Sequence, residues 1–264
     1  MKKMNLFIFF VFLGFFIFSL KTYSQGVPDR YIVVFHEWVS HPDLHAKRLA
    51  QGHGLALGHI YQHALKGFVS TIPMNKLDLV KKDPDVIYVS QDQIVTLVGN
   101  DRVRGPGKPG GGQGGTTPQP AQVLPSGINR VNAELSSLAF IDGQDQRVDV
   151  DVAVLDTGID KSHPDLNVVG GINFSTGRPT SFKDGNGHGT HVSGTIGALD
   201  NAIGVVGVAP GARLWAVRVL DNNGSGFLSD VIAGIDWVTQ RADVIDVANM
   251  SLGWTEDSSS PSPV

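Results

Sequence analysis

The chain has 264 residues, 41% hydrophobic and 17% charged, a globular composition with room for more than one domain. It contains no cysteine, which excludes a disulfide framework and leaves stabilisation to core packing or bound metal. The net charge of -4 divides unevenly: residues 1–120 carry 13 Lys and Arg against 8 acids, net +5, and residues 121–264 carry 8 against 17, net -9. Two such parts would attract each other or stand as independently solvated surfaces. No basic stripe with interleaved aromatics points to nucleic acid.

Met1-Lys2-Lys3 is a basic start, and residues 6–20 are almost wholly apolar. Fifteen residues suit the core of a signal peptide better than a membrane span, which needs about 20. Thr22 and Ser24 are small residues that place a cut after Ser24, with Gly26 as the alternative, so residues 1–24 are expected to be removed rather than kept as an anchor.

Residues 28–98 predict a small domain. Residues 31–35 form a strand, and Ser40 with Pro42 opens a helix through Leu44, Lys47 and Leu49. Residues 60–72 give one long strand or a hairpin with Gly67 inside it. A second helix starts around Asn75 and Asp78 and is closed by Pro84. A last strand runs from residue 86, extended through Ile94 and Val95. The order βαββαβ is a split βαβ unit. About seventy residues make a marginal core alone. Residues 99–120 hold a glycine- and proline-rich run that cannot build a core and reads as a flexible linker, accessible to processing.

Residues 121–264 alternate strands and helices. Residues 148–155 form a strand whose second half is continuously apolar, as in a parallel sheet covered on both faces. Residues 212–220 give the next strand. Leu228, Val231, Ile232, Ile235 and Val238 mark one face of a helix over 227–240, and residues 243–250 form another strand. This pattern predicts a doubly wound, mainly parallel α/β sheet.

Two motifs carry chemistry. Residues 184–197 begin Asp-Gly-Asn-Gly-His-Gly-Thr-His, a tight loop running into a helix with His188 at its start. A histidine there can exchange protons near neutral pH. With His191 at i+3 it could instead bind a metal, or be structural. Upstream, the apolar strand at 152–155 ends in Asp156-Thr157-Gly158. Asp-Thr-Gly also opens the site of aspartic proteases, but that chemistry needs two such aspartates and gives the histidine loop no role.

Together the two motifs resemble the subtilisin-like serine proteases, which run Asp, His, Ser along the chain. The resemblance implies a secreted serine-type endopeptidase acting on protein or peptide substrates. In it His188 is the general base, Asp156 orients its ring, and His191 is structural. It implies an α/β fold with a doubly wound, mainly parallel sheet, preceded by a small α+β ferredoxin-like propeptide over 28–98. That propeptide would inhibit in cis, its C-terminal strand near residues 91–98 lying in the substrate cleft.

In the resembled family Gly224-Ser225-Gly226 and Ser251-Leu252-Gly253 are walls that pair with the substrate backbone. Carbonyls of Leu199, Ile203 and Val205, with side chains of Asn201, Asp165 and Gln122, would hold a calcium ion, an oxygen-only set that suits that cation. No organic cofactor is implied, nor a stable membrane association once the signal is removed.

The family's Gly-Thr-Ser-Met-Ala-like nucleophile motif does not occur in this sequence, nor does its oxyanion asparagine after Gly253. The expectation is therefore a fragment, with residues 121–264 forming the N-terminal part of the catalytic domain and carrying Asp and His but not Ser. The alternative is a naturally short, noncatalytic secreted inhibitor or binding protein built on residues 28–98. Asp156 and His188 favour the enzyme, since a binding module needs neither.

Overall fold

A computed structural model describes residues 26–97 and 121–253. The signal segment 1–24, the linker 99–120 and the tail beyond Gly253 lie outside the described residues.

The N-terminal unit runs β1 (Gly26–Phe35), α1 (Pro42–His53), β2 (Ala56–Tyr61), β3 (Gly67–Thr71), α2 (Met74–Lys81) and β4 (Val86–Leu97). Its strands lie in the order β4-β1-β3-β2, all antiparallel. Alternation along β1 explains the packing. Tyr31, Val33 and Phe35 meet Ala46, Leu49, Leu77 and Val80 under the two helices, while Ile32 and Val34 face the opposite way. Helix α1 starts with Pro42 in its first turn, and His41 rather than Ser40 occupies the cap position with no side-chain hydrogen bond. Residues 56–71 form a hairpin rather than one strand, with Gly67 opening its second arm.

The second unit contains α3 (Ser126–Arg130), β5 (Asp151–Asp156), β6 (Val168–Asn173), α4 (His188–Gly197), β7 (Arg213–Arg218), β8 (Ser225–Phe227), α5 (Leu228–Thr239), β9 (Val247–Met250) and β10 (Leu252–Gly253). Strands β6-β7-β5-β9 form a parallel sheet. One face sets Val152, Val154, Leu214 and Ala216 against Val192 and Ile196 of α4. The other sets Ala153, Leu155 and Val217 against Leu228, Val231 and Ile232 of α5. Helices on both faces account for the unbroken apolar run in β5.

Strand β9 begins at Val247 rather than 243, because residues 241–245 close a turn after α5 in which Val244 and Ile245 donate to the Arg241 carbonyl. Among the described residues it is at the edge of the sheet, with Val247 and Met250 exposed.

Helix α5 is shared. Its second face receives Ile32, Val34, Tyr61, Val69 and Val95, so one apolar cluster spans both units. Full burial of a valine or isoleucine is worth about 1.5–3 kcal/mol, which makes this seam chiefly hydrophobic. Strand β4 pairs with β1 through residues 86–93, with a bulge before the Gly26–Gln93 pair; its end, residues 94–97, leaves that partnership and enters the second unit.

Candidate active site

The parallel sheet presents Asp156 at the C-terminal end of β5, fully buried. Helix α4 begins with His188 directly above it. Both Asp156 carboxylate oxygens lie 2.9 Å from His188 Nδ1. A carboxylate on that side keeps the proton on Nδ1, so Nε2 carries the lone pair. Burial pushes the Asp156 carboxyl above its ordinary range, against the hydrogen bonds from His188 and the Thr157 amide that pull it down. The close approach of helix and strand requires Gly189, because a Cβ there would overlap the Gly158 carbonyl and stand 3.2 Å from Asp156 Cβ.

Asp184 holds this arrangement, and the sequence reading gave it no role. Its Oδ1 accepts from the amides of Asn186 (2.9 Å) and Gly187 (2.8 Å) and from the Thr157 hydroxyl (2.9 Å). Its Oδ2 accepts from the Thr190 amide (2.9 Å) and hydroxyl (2.6 Å). Thr157 Oγ1 in turn accepts from the Gly189 amide at 3.0 Å. One carboxylate therefore caps α4 and ties it to the residue after Asp156. Burial is the largest single influence on Asp184 and raises its pKa; the converging donors, led by the Gly187 amide, outweigh it and hold the carboxyl below its ordinary range. An aspartate four residues before the first helical residue was the signal available.

His191 is exposed on α4, and among the described residues no group of three His, Cys, Asp or Glu could hold a metal. Among the described residues no serine is hydrogen-bonded to His188.

The segments 224–226 and 251–253 flank the end of β4. Ile94, Val95 and Thr96 pair antiparallel with Phe227, Gly226 and Ser225. On the other side Leu97 and Thr96 pair antiparallel with Leu252 and Gly253. The Leu97 amide also donates to the Gly224 carbonyl at 3.1 Å. Val95 is fully buried in the cluster containing Leu220, Leu228 and Val231. The walls thus hold an extended strand by backbone pairing on both edges.

The seam behind this strand also carries polar contacts that sequence reasoning missed, among them two clusters centred on aspartates. Asp92 of β4 caps α5: its Oδ1 accepts from the Ser229 amide (3.0 Å) and its Oδ2 from the Ser229 hydroxyl (2.6 Å). Arg30 donates to Asp92 at 2.6 Å and to Ser229 Oγ at 2.8 Å. Asp236 Oδ1 accepts the successive amides of Gln62, His63 and Ala64 at 2.6–2.9 Å. Residues 28–98 carry seven basic and seven acidic side chains, so the positive excess of residues 1–120 lies outside this unit. The polar part of this apolar seam rests on specific pairs rather than on net charge.

The six residues expected at calcium are brought together around the loop after α4. Asp165 accepts from Asn201 Nδ2 (2.9 Å) and the Val205 amide (3.3 Å). Gln122 Oε1 accepts from the Asn201 amide (2.7 Å), and Asn201 Oδ1 from the Ile203 amide (2.7 Å). The Leu199 amide donates to the Asp165 carbonyl. Each side-chain oxygen keeps a second lone pair, and one carboxylate with amide and carbonyl oxygens is a donor set for a hard cation. Gly204, at φ 67°, leaves the space beside Asp165 open, since a Cβ there would sit 2.6 Å from Oδ2.

Residues 148–263 match the subtilase family model, and residues 30–98 match the peptidase inhibitor I9 model. The chain is 42% identical over 184 residues to Subtilisin E of Bacillus subtilis, an alignment covering 70% of this chain and 41% of that protein. It is 38% identical over 237 residues to a thermostable alkaline protease of Halalkalibacterium halodurans, covering 89% of this chain and 50% of that one. It is 43% identical over 187 residues to the M-protease of Shouchella clausii, covering 71% and 40%. The chain spans two-fifths to half the length of these curated relatives.

Proposed function

Because this chain belongs to the subtilase family and carries an I9 inhibitor domain, we propose that it serves as a secreted serine endopeptidase, with its first 24 residues directing export. The observation that carries the reading is the buried Asp156 carboxylate on His188 Nδ1 at the mouth of a cleft whose two walls already hold a strand.

In this reading a substrate enters extended, as β4 does, and pairs with Gly224, Ser225 and Gly226 on one side and Ser251, Leu252 and Gly253 on the other. His188 Nε2 takes the proton of a serine hydroxyl as its oxygen attacks the scissile carbonyl, and later returns it to the leaving amine. Asp156 fixes the ring and stabilises the imidazolium that forms. The nucleophilic serine is assigned to residues outside those described here. Calcium, held by Gln122, Asp165 and Asn201 with the carbonyls of Leu199, Ile203 and Val205, would supply structural rigidity and take no part in proton transfer. Residues 28–98 occupy the cleft in cis and inhibit.

The test is a fusion that supplies the downstream catalytic half of a related subtilase after Gly253. It should label with a fluorophosphonate and cleave casein, and His188→Ala should abolish both. The 264-residue chain itself should do neither. A folded fusion that still labels and cleaves with His188 replaced would overturn the assignment.

A further inference from the structure

Arg218 is the last residue of β7, next to Asp156 in the parallel register, and is only 8% exposed. Among the described residues its guanidinium hydrogen-bonds to no carboxylate. Nε donates to the Leu220 carbonyl at 3.2 Å, Nη1 to the Lys183 carbonyl at 2.9 Å, and Nη2 to Asn222 Oδ1 at 2.8 Å. Burying a cation on dipoles alone is costly, so charge pairing does not explain its presence. Geometry does: a planar fork is the side chain that can reach three acceptors lying in different directions.

The acceptors belong to two loops. Lys183 precedes Asp184, which caps α4. Asn222 precedes Gly224, whose carbonyl holds the Leu97 amide. The loops are also joined directly. Asn186 Nδ2 donates to the Asn222 carbonyl at 3.0 Å, and Asn186 Oδ1 accepts from the His188 amide at 3.2 Å. On the wall side, Asp221 Oδ1 accepts the Asn223 and Ser225 amides. Two links therefore join the wall loop to the histidine loop: Arg218 bridges Asn222 and the Lys183 carbonyl, and Asn186 bridges the Asn222 carbonyl and the His188 amide.

We propose that Arg218 is a positioning residue that locks the histidine loop to the Gly224 wall, so that a strand seated on the wall and the His188 ring are held in one register. This assignment rests on His188 being the base of a protease. Its test measures no turnover, so an inert enzyme would sink that reading and leave the coupling to be judged separately.

The 264-residue chain would be compared with Arg218→Met and with Arg218→Lys, which keeps the charge but loses the fork. Amide hydrogen exchange reads the Leu97 N–H, and proton NMR reads the His188 Nδ1–H. In both variants protection at Leu97 should fall by about tenfold, the size of one lost hydrogen bond. The Nδ1–H signal should broaden or vanish with it, while the amides of β1 and β3 keep their protection. Asn222→Ala, which removes one acceptor and leaves the buried site filled, should show the same pair of changes if Arg218→Met does not fold. Wild-type values at both positions in Arg218→Lys would overturn the proposal. So would a loss of protection spread evenly over β1, β3 and β5, because Arg218 would then be a structural residue alone.

Discussion

Helices α4 and α5 both start beneath an aspartate, but the two aspartates come from different places. Asp184 lies in the loop that leads into α4, and its donors all lie within residues 157–190. Asp92 reaches the start of α5 from another unit, 137 residues away in sequence. The first cap is intrinsic to the histidine loop. The second exists only while β4 is seated, so the Ser229 amide loses its acceptor when residues 26–97 leave. The cap of α4 is thereby made from the histidine loop alone, whereas the cap of α5 depends on the inhibitor unit.

The largest expected effect breaks the first of these caps. Asp184→Ala leaves five donors without an acceptor and should cost about 3 kcal/mol of unfolding free energy in denaturant titration. It should also change the acid limb. A carboxyl held below its ordinary range gives stability that is present above the unfolded value, about 3.9, and is lost as pH falls through the folded one. The wild-type chain should therefore lose stability more steeply below about pH 5 than the variant does. Equal slopes would contradict the capping role.

Next in size is metal. If calcium at 100 times its dissociation constant stabilises α4 from its far end, a chelator should remove about 2.7 kcal/mol. Asp165→Ala should abolish most of that sensitivity, and melting curves identical with and without chelator would remove calcium from the account. Asp92→Ala should then cost about 2 kcal/mol, confined to the seam. Amide exchange should quicken at residues 94–97 and at Ser229 while the amides of Gly189 and Thr190 hold. Quickening at all of these would mean that the two caps are not separate.

The smallest effect belongs to Asp156→Asn. Burial raises this carboxyl, so its ionised form is a cost to the fold that is present above the folded pKa and disappears as pH falls. Removing the charge should leave stability at pH 7 within about 1 kcal/mol of wild type by thermal unfolding. A loss as large as that of Asp184→Ala would make Asp156 a structural residue first.

Much of the architecture was legible because local signals agreed with it. The unbroken apolar run of β5 announced a strand covered on both faces, and Leu228, Val231 and Ile232 marked the inner face of α5. Other elements carried no such signal. Strand β6 contains Gly170 and Gly171, which interrupt its apolar pattern. Strands β8 and β10 have three and two residues and owe their extended form to pairing with β4. In the site, Asp156 and His188 stood out through the motifs around them, while Asp184 did not, since a capping side chain is defined by donors that only folding assembles. The seam was further out of reach: Arg30 meets Ser229 across 199 positions. Net charge misdirected that part of the reading, because the positive excess sits in residues 1–27 and 99–120 rather than on residues 28–98.

Strand β4 belongs to two sheets at once, and residues 99–120 tether it to the unit whose cleft it fills. While that tether is intact, seating is a unimolecular step, driven by a local concentration of order millimolar and indifferent to how much protein is present. A single cut within residues 99–120 leaves every hydrogen bond and apolar contact of the described structure in place. It nevertheless makes the same equilibrium bimolecular. From that moment the occupancy of the cleft is set by total concentration, and dilution alone becomes the signal that opens it.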